Sequence, residues 1–258
     1  MIGRNLYLMS LVVLALAAPS FAQTTVCVPQ FVDGTSGSIR WQTTLILMNQ
    51  EQTQAQVQLQ FRNNDGVPLQ QLRMTRAHGQ GPGQGVDSNG QFSPEPIRAR
   101  SMVALQSSGE GGLQSGYVMV QSQQRIQVQT RLQMMDQSGN LLAEVGVTPG
   151  PQFRNGSFYA GTSEGALIGM ALANLSADVP VTCSVEVVAE DGTVLGKTDV
   201  TLGPHSQIAR FLFELFPQLL TDEGIFVRIT CPDPVCALVL NLHGFEMFQI
   251  PVFVVDPE

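Results

Sequence analysis

The sequence predicts an all-β protein made of two tandem antiparallel β-sandwich domains, with a short helical crossover in the second. The first observation is a long internal repeat, in which FVDGTSG at residues 31–37 is matched by FYAGTSEG at residues 158–165. Each copy continues into an apolar run that ends in asparagine, TTLILMN at residues 43–49 and IGMALAN at residues 168–174. A repeat unit of more than about a hundred residues has the size of a domain.

The second observation is a strict alternation of polar and apolar residues. The segment EQTQAQVQLQFR at residues 51–62 predicts an extended strand, because successive side chains in a strand point to opposite faces. Glutamines occupy one face, and Ala55, Val57, Leu59 and Phe61 occupy the other. We therefore expect a half-buried antiparallel strand with a solvated glutamine face; a glutamine ladder that binds sugar is the alternative.

Turn signals divide the rest of the chain into short strands. Asp-Gly turns recur at residues 65–66 and 191–192, at matching places in the two copies, and Pro-Asp-Pro at residues 232–234 marks another turn. The predicted strands span residues 102–106, 116–122, 126–133, 141–147, 166–173, 181–188, 194–202, 224–230, 237–242 and 248–255. Many short strands with this punctuation indicate a sandwich or barrel. Only residues 208–220 (IARFLFELFPQLL) look helical, and we expect them to form a short buried crossover between sheets.

The chain divides into a signal peptide and two domains. Residues 1–22 contain a cation, Arg4, then an apolar stretch and a small-residue site that ends at Ala22, which is typical of a cleaved signal peptide. An uncleaved N-terminal anchor is the alternative. We expect a secreted or periplasmic protein with no membrane span after cleavage. The first β-sandwich domain then spans residues 23–150, and the second spans residues 151–258.

One segment interrupts the repeat. Residues 77–96 (AHGQGPGQGVDSNGQFSPEP) are rich in Gly, Gln, Ser and Pro and have almost no counterpart in the second copy. Such a composition predicts a mobile surface loop that does not contribute to a core. Loops on rigid sandwiches often carry binding residues, so this loop is one candidate for function.

The charge balance excludes some classes of partner. The chain has 13 Lys and Arg residues against 21 Asp and Glu residues, and its formal net charge is −8. Lys197 is its only lysine. Binding to nucleic acid or to an anionic membrane needs clustered cations. We therefore expect neither nucleic acid nor an anionic membrane surface as a partner.

The four cysteines indicate disulfides, for which three pairings can be drawn. Cys231 and Cys236 bracket the predicted hairpin at residues 232–235, and their closeness favours a Cys231–Cys236 bridge. Cys183 has the parity of a core-facing residue, so a Cys183–Cys231 bridge across the sheets is the rival. Cys27 would then need another partner.

The sequence shows no convincing catalytic, cofactor or metal site. Residues 161–165 (GTSEG) match the nucleophile motif G-x-S-x-G around Ser163, and Asp233 and His243 follow in the order of a hydrolase triad. A strand is predicted after the motif where the hydrolase needs a helix, so we interpret the motif as a glycine turn shared by both copies. The cysteines lack metal-site spacing with histidine. We predict no cofactor and no metal.

Taken in order, FVDG, TTLILMN, FRNNDGVPL and GYVMVQS in the first copy resemble uncharacterised exported bacterial proteins built from tandem immunoglobulin-like β-sandwich modules. The second copy continues the resemblance with GMALANLS, VEVVAEDGTVLG, LGPHSQIARFLFELFP and GIFVRI. It covers nearly all of the chain after the signal peptide. It implies export and a non-enzymatic surface or matrix role, and it carries no catalytic residues and no ligand.

The predicted domain pair is also similar to the periplasmic pilus chaperones, which are exported pairs of immunoglobulin-like domains. Those chaperones use a basic cleft to hold the C-terminal carboxylate of a pilus subunit. The acidic chain offers one lysine, Lys197, and no arginine–lysine pair that can be placed in such a cleft. The pilus-type chaperone is therefore an alternative function.

A candidate interaction surface lies near the C-terminus, at Phe245, Met247 and Phe248. Strand parity puts Met247 and Phe248 on opposite faces, so one of them faces outward unless the first domain or a partner covers it. Ordinary core packing on both sides of a bent strand is the alternative. We expect a non-catalytic exported module that presents surfaces to a protein or a glycan; a pilus-type chaperone and a serine hydrolase using Ser163 are the alternatives.

Overall fold

The structure, a computed structural model, describes residues 24–77, 83–161, 166–219 and 224–255. Within these ranges the chain forms eighteen strands and one four-residue helix, α1 (Leu212–Leu215). Every pairing between the named strands is antiparallel. The prediction of an all-β protein with antiparallel sheets is therefore confirmed.

The first half of the chain, up to residue 147, contains ten of these strands. In β3 the side chains of Val57, Leu59 and Phe61 are buried while the intervening glutamines are half-exposed, as the alternation predicts. The ten strands are β1 (Thr24–Ser36), β2 (Ile39–Asn49), β3 (Val57–Asn63), β4 (Arg73–Arg76), β5 (Gln84–Gly85), β6 (Gln91–Phe92), β7 (Ser101–Ser107), β8 (Gln114–Ser122), β9 (Ile126–Met135) and β10 (Leu141–Val147).

Two groups of strands pair in the first half. One has the order β1-β8-β3-β6, and the other has the order β5-β4-β7-β2-β9-β10. The end of β1 joins them, because it turns back into β2 with Gly34 opposite Trp41 and Ser36 opposite Ile39. The ten strands thus form one connected sheet. This sheet is nearly closed and barrel-like, and it differs from a clear pair of separate sandwich sheets.

The second half contains the other eight strands and α1. These strands are β11 (Phe153–Ala160), β12 (Ala166–Asn174), β13 (Val181–Ala189), β14 (Val194–Leu202), β15 (Gln207–Phe211), β16 (Ile225–His243), β17 (Glu246–Ile250) and β18 (Phe253–Val254). β16 has 19 residues and belongs to two groups of strands. Its first part, residues 225–230, lies between β11 and β13, and its last part, residues 235–243, lies between β12 and β17. β14, β15 and β18 extend these groups at their edges.

The two halves share one pairing scheme. β2 lies between β7 and β9, as β12 lies between β15 and the last part of β16. β8 lies between β1 and β3, as the first part of β16 lies between β11 and β13. The repeated sequences fall in equivalent strands: FVDG lies in β1 and FYA in β11, while TTLILMN lies in β2 and GMALAN in β12. The repeat in sequence therefore corresponds to a repeat in strand pairing.

Each half has a hydrophobic core of its own. The first core contains the fully buried rings of Phe31 and Phe61, which meet edge to face with their centroids 5.1 Å apart. The second core contains Phe158, Met170 and the bonded cysteine pair Cys183–Cys231, among other apolar side chains. Burial of this apolar surface is the main contribution that stabilises each half.

Two further apolar clusters combine residues from both halves. The members of the first are Val32, Leu132, Val145 and Val147 of the first half and Ala171 and Leu238 of the second, with Trp41, Ala209, Leu240 and Met247 packed against them. The members of the second are Cys27, Tyr117 and Met119 of the first half and Ala173 and Cys236 of the second. The two halves therefore pack against each other through apolar side chains.

Hydrogen bonds accompany this packing. The Tyr117 hydroxyl donates to the carbonyl of His205 at 2.9 Å, and burial raises the pKa of Tyr117 to about 12. The Gln207 backbone N–H donates to the carbonyl of Asn64 at 2.9 Å. At the linker, the Gln249 side chain forms two hydrogen bonds with the backbone of Thr148, each 2.9 Å long. The Tyr117 and Gln207 bonds satisfy polar groups that packing of the two halves removes from water, whereas the two Gln249 bonds are exposed.

Several predicted elements differ in extent. Residues 224–230 and 237–242, predicted as two strands of a hairpin, belong to the single strand β16. Within the predicted helical crossover at residues 208–220, residues 208–211 belong to β15 and only α1 (Leu212–Leu215) is helical. The strand predicted from Glu51 begins at Val57. The predicted signal peptide, residues 1–22, lies outside the described residues.

The prediction that residues 77–96 do not contribute to a core is wrong. Residues 78–82 lie outside the described residues, but β5 and β6 form in the remainder, and Phe92 is buried in the first core. β6 pairs with β3, so that Gln91 lies opposite Gln60, and Gln58 donates to the Gln91 side chain at 3.0 Å. Phe92, with the partly buried Val86, anchors a segment whose average composition is that of a loop.

Candidate binding cleft

An apolar cleft of about 270 Å³ lies between the two halves. Its first wall comes from the first half and consists of Gln30, Val32, Trp41, Leu113, Ser115 and Leu132. Its second wall comes mainly from β12, β15, β16 and β17 and includes Gly169, Ala171, Ala209, Arg210, Phe211, Leu238, Leu240, Leu242 and Met247. Trp41 is the only tryptophan of the chain.

The register of the second-half strands explains the shape of the second wall. Gly169 lies opposite Leu240 and Ala171 lies opposite Leu238, and residues paired across strands point to the same face. The small side chains of β12 therefore leave a depression beside the leucines of β16. Met247 pairs with Leu242 and so lies on this same face, at the end of the cleft.

The β1–β2 hairpin positions the first wall. Gly34 pairs with Trp41 and has φ of +100°, and a side chain there would collide with the backbone carbonyl group of Gly112. Because the backbones approach closely, the Thr35 N–H donates to the carbonyl of Gly111 at 2.9 Å. The Thr35 carbonyl accepts the N–H of Leu113 at 3.1 Å. These bonds bring Leu113 to the mouth of the cleft.

A buried carboxyl group supports the same loop. Asp33 is buried, and one of its carboxyl oxygens accepts the N–H of Gly109 at 2.6 Å. Burial raises the pKa of Asp33, an effect opposed by hydrogen bonds from Ser107 and Gly109. The nearby Glu110 raises this pKa further, and Arg40 lowers it. The loop that carries Leu113 is thus tied to a titratable group in the interior.

The polar groups of the cleft lie at its rim. The Arg210 guanidinium is 3.9 Å from the Glu214 carboxylate on α1, and the Gln30 side chain accepts a hydrogen bond from Gln207 at 3.4 Å. The walls between these groups are apolar. A concave apolar surface with a few polar groups at its edge is suited to an apolar side chain or ring.

The structure pairs the cysteines as Cys27–Cys236 and Cys183–Cys231. The favoured Cys231–Cys236 bridge is wrong, and the rival Cys183–Cys231 bridge is present. Cys231 and Cys236 lie on the one continuous strand β16, where residues five positions apart are about 16 Å distant and point to opposite faces. Two disulfides indicate an oxidising environment outside the cytoplasm.

The residues of the candidate interaction surface face different sides of the second half, and Met247 and Phe248 point in opposite directions, as strand parity predicts. Met247 is half-buried and packs against the cluster shared by both halves. Phe248 is 53% exposed, and Phe245, in the turn between β16 and β17, is 60% exposed. Met247 therefore belongs to the cleft, whereas the two phenylalanines face away from it.

The other catalytic and ionic candidates do not come together. Ser163 lies outside the described residues. Asp233 and His243 lie ten positions apart on β16, which corresponds to about 33 Å of extended strand. Lys197 pairs with Glu186 at 2.8 Å on the neighbouring strand and does not contribute to the cleft. In the part of the chain that the structure describes, no three His, Cys, Asp or Glu side chains come together as metal ligands would.

Two apolar runs in the sequence are a signal for this cleft. The apolar run at residues 237–242 lacks alternation, and so does the run in β12 at residues 168–173. A strand that is apolar on both faces is covered on both faces. One face of each strand covers the core of the second half, and the other faces the first half.

Comparison of the chain with protein-family models, curated proteins and solved structures finds no match. Among residues 24–77, 83–161, 166–219 and 224–255, no helix has the length and hydropathy needed to cross a membrane. Function is therefore inferred from the residues and their geometry.

Proposed function

We propose that this protein is a non-catalytic, exported interaction module of two immunoglobulin-like β-sandwich domains, which binds an apolar segment of a partner protein in the cleft between them. The apolar cleft lined by Trp41 and Met247 carries this proposal. The two disulfides and the sequence of residues 1–22 support export to the periplasm or beyond the cell.

The geometry of the cleft favours an extended partner segment that inserts one large apolar side chain. The volume of about 270 Å³ lies just below the range of small-molecule pockets, which begins at about 300 Å³, and the cleft opens to solvent between the halves. Trp41, Phe211 and Met247 offer the aromatic and thioether contacts that dominate binding energy at protein interfaces. The partner would gain affinity mainly from this single anchor.

The alternative functions lack equivalent support. A pilus-type chaperone needs a free cation in its cleft, but the cation that lines this cleft, Arg210, lies 3.9 Å from the Glu214 carboxylate, and Lys197 pairs with Glu186 outside it. A serine hydrolase needs Asp233 and His243 near Ser163, and these two residues occupy distant positions on β16. The cleft has no such requirement, because apolar burial alone supplies its affinity.

The test is selection of ligands on the oxidised protein without its signal peptide. Random peptides displayed on phage are selected against it, and the enriched peptides are titrated with Trp41 fluorescence as the readout. We expect enriched peptides to share a large apolar residue and to change the Trp41 emission on binding. Failure to enrich any peptide, or binding that leaves Trp41 unaffected, would contradict the proposal.

A pair of glycine substitutions gives the control. A Cβ atom at Gly169 meets Phe211 at an ordinary contact distance of 3.6 Å, so Gly169→Leu should fold and fill the cleft. Gly146→Leu adds the same side chain to an exposed site on β10, where the nearest atom is 3.7 Å away. We expect peptide affinity to fall at least tenfold in Gly169→Leu, about 1.4 kcal/mol, and to stay unchanged in Gly146→Leu.

A further inference from the structure

A second concave surface lies in the second half, separate from the cleft. It is a groove of about 560 Å³ lined by Tyr159, Asn241, Phe248 and Ile250, with Gly161, Gly224, Gln249 and Pro251 around them. Asn241 and Phe248 are cross-strand partners in β16 and β17, so they share the face opposite to Leu242 and Met247. The groove and the cleft therefore use opposite faces of the same two strands.

Aromatic rings are presented to solvent along this groove. Tyr159 is 43% exposed and Phe248 is 53% exposed, although both are large enough to stabilise a core. The Tyr159 ring is held in place by Phe226, which it meets edge to face with centroids 5.4 Å apart, and by the backbone of Gly224, where a side chain would collide with the Tyr159 ring. The rigid ring offers a flat face at little entropic cost.

An amide without a partner lies beside the rings. Asn241 is only 6% exposed, and among the described residues its side-chain oxygen has no hydrogen-bond partner. Buried side-chain oxygens of this kind are nearly always hydrogen-bonded, and leaving one unpaired costs about 1–3 kcal/mol. Asn241 lines the groove, but its unpaired oxygen is itself buried, so a hydroxyl donor in the groove would satisfy it once the amide turns toward the ligand.

The chemistry of the lining selects a class of ligand. None of the lining residues in the described chain carries a charge, so the groove does not favour an anion or a cation. The negative face of an aromatic ring attracts the C–H groups on the apolar face of a pyranose, while the hydroxyl groups of the sugar donate to an amide oxygen. A flat ligand that is apolar on one face and rich in hydroxyl groups matches all three features.

We propose that this groove is a saccharide site, which takes a neutral pyranose ring of a glycan against Tyr159 and Phe248, with a hydroxyl group donating to Asn241. This assignment rests on the proposed role as an exported interaction module and adds a glycan as a second kind of partner. It does not depend on the cleft, because no side chain that the cleft argument uses lines the groove.

The probe is a printed array of neutral and anionic glycans, incubated with the oxidised protein without its signal peptide. We expect binding to neutral pyranose glycans and none to the anionic glycans. The glycan with the strongest signal is then titrated by calorimetry against four single variants. Tyr159→Ala, Phe248→Ala and Asn241→Leu should each weaken affinity at least tenfold, whereas Phe213→Ala, which removes an exposed aromatic ring elsewhere, should not.

Two results would overturn the assignment. The first is that no neutral glycan gives a higher array signal with the parent protein than with a Tyr159→Ala/Phe248→Ala double variant. The second is a dimer in sedimentation that Phe248→Ala converts to a monomer, because the rings would then contact a second copy of the chain. Thermal unfolding of each variant checks that the fold is retained. Gly169→Leu should leave glycan binding unchanged, so failure of the cleft and failure of the groove are separate outcomes.

Discussion

Asn49 and Asn174 end equivalent strands, β2 and β12, and form the same set of hydrogen bonds. Each is buried, and each side-chain NH2 group donates to backbone carbonyls of two separate loops: Thr53, Ile97 and Arg98 for Asn49, and Val179, Leu202 and Gly203 for Asn174. Each side-chain oxygen accepts the N–H two residues on, at Glu51 and Ser176. The repeated asparagine therefore ties the loops at one end of each half.

Removal of either amide should destabilise the protein strongly. Asn174→Ala leaves the buried carbonyl of Leu202 and the part-buried carbonyls of Val179 and Gly203 without this donor, so we expect a loss of stability of about 3 kcal/mol, and a similar loss for Asn49→Ala. Urea unfolding of the oxidised protein measures both. Asn140→Ala, which removes an exposed turn hydrogen bond, should cost about 0.5 kcal/mol or less. Equal effects at residues 140 and 174 would contradict this account.

The disulfide that joins the two halves can be detected by cleavage. A protease site inserted at the linker, residues 148–151, should yield one band after cleavage without reductant and two bands with it, because Cys27–Cys236 links the fragments. The double substitution Cys27→Ser/Cys236→Ser should give two bands in both lanes. It should also lower the free energy of unfolding by about 2–5 kcal/mol, as expected for closing a loop across 209 residues. Two bands in the unreduced parent would disprove this pairing.

Asp33 should make stability depend on pH in an unusual direction. Its pKa is raised above 3.8 mainly by burial, so the folded protein holds this proton more tightly than the unfolded chain does. Ionisation of Asp33 therefore lowers the free energy of unfolding as the pH rises from about 3.8 through the pKa of Asp33 in the folded protein. Asp33→Asn removes this cost, so the variant should gain stability relative to the parent between pH 3 and pH 7.

Asp136→Asn is the control of opposite sign for this pH experiment. Hydrogen bonds from Asn140 lower the pKa of Asp136 in its exposed turn. The ionised form of Asp136 is therefore favoured by folding, and this variant should lose stability relative to the parent as the pH rises. Urea unfolding at a series of pH values measures both differences. A difference for Asp33→Asn that is flat or falls with pH would contradict the role of burial.

Met247 and Phe245 should respond differently to the same change. Met247→Glu puts a carboxylate into the apolar cluster shared by the halves, so we expect a loss of about 2 kcal/mol and a red shift of Trp41 emission. Phe245→Glu changes a side chain that is 60% exposed and should alter stability by about 0.5 kcal/mol at most. Equal losses in the two variants would place Met247 on the free surface.

Much of the strand pattern follows from local sequence. β10 and β14 have the predicted bounds, because their alternation and flanking turns leave a single register. β16 was predicted as two strands because Pro232 and Pro234 resemble a turn. Both prolines lie at residues 231–234, where β16 changes partners between its two groups, so neither is required to donate to a ladder. In the sequence, prolines where one strand changes its partners look the same as prolines in a turn between two strands.

The cleft and the groove could not be predicted in the same way. Trp41 and Met247 are two hundred positions apart, and only the packing of the two halves brings them to one cluster. Asn241 looks like a polar interruption of an apolar strand until its unpaired oxygen is seen beside Phe248. Side-chain parity within a strand predicted the opposite directions of Met247 and Phe248. It did not identify what each faces, because that depends on residues distant in the chain.

The disulfides are nested, since the Cys27–Cys236 bond encloses Cys183–Cys231. A chain translocated N-terminus first exposes Cys27 and Cys183 to oxidant long before their partners arrive, and the first bond available is a wrong one. Correct maturation then requires either that Cys27 stays reduced until β16, which carries Cys236, has folded or that an isomerase exchanges the early bond. Production of this protein in a heterologous host should therefore be limited by thiol exchange and not by the rate of translocation.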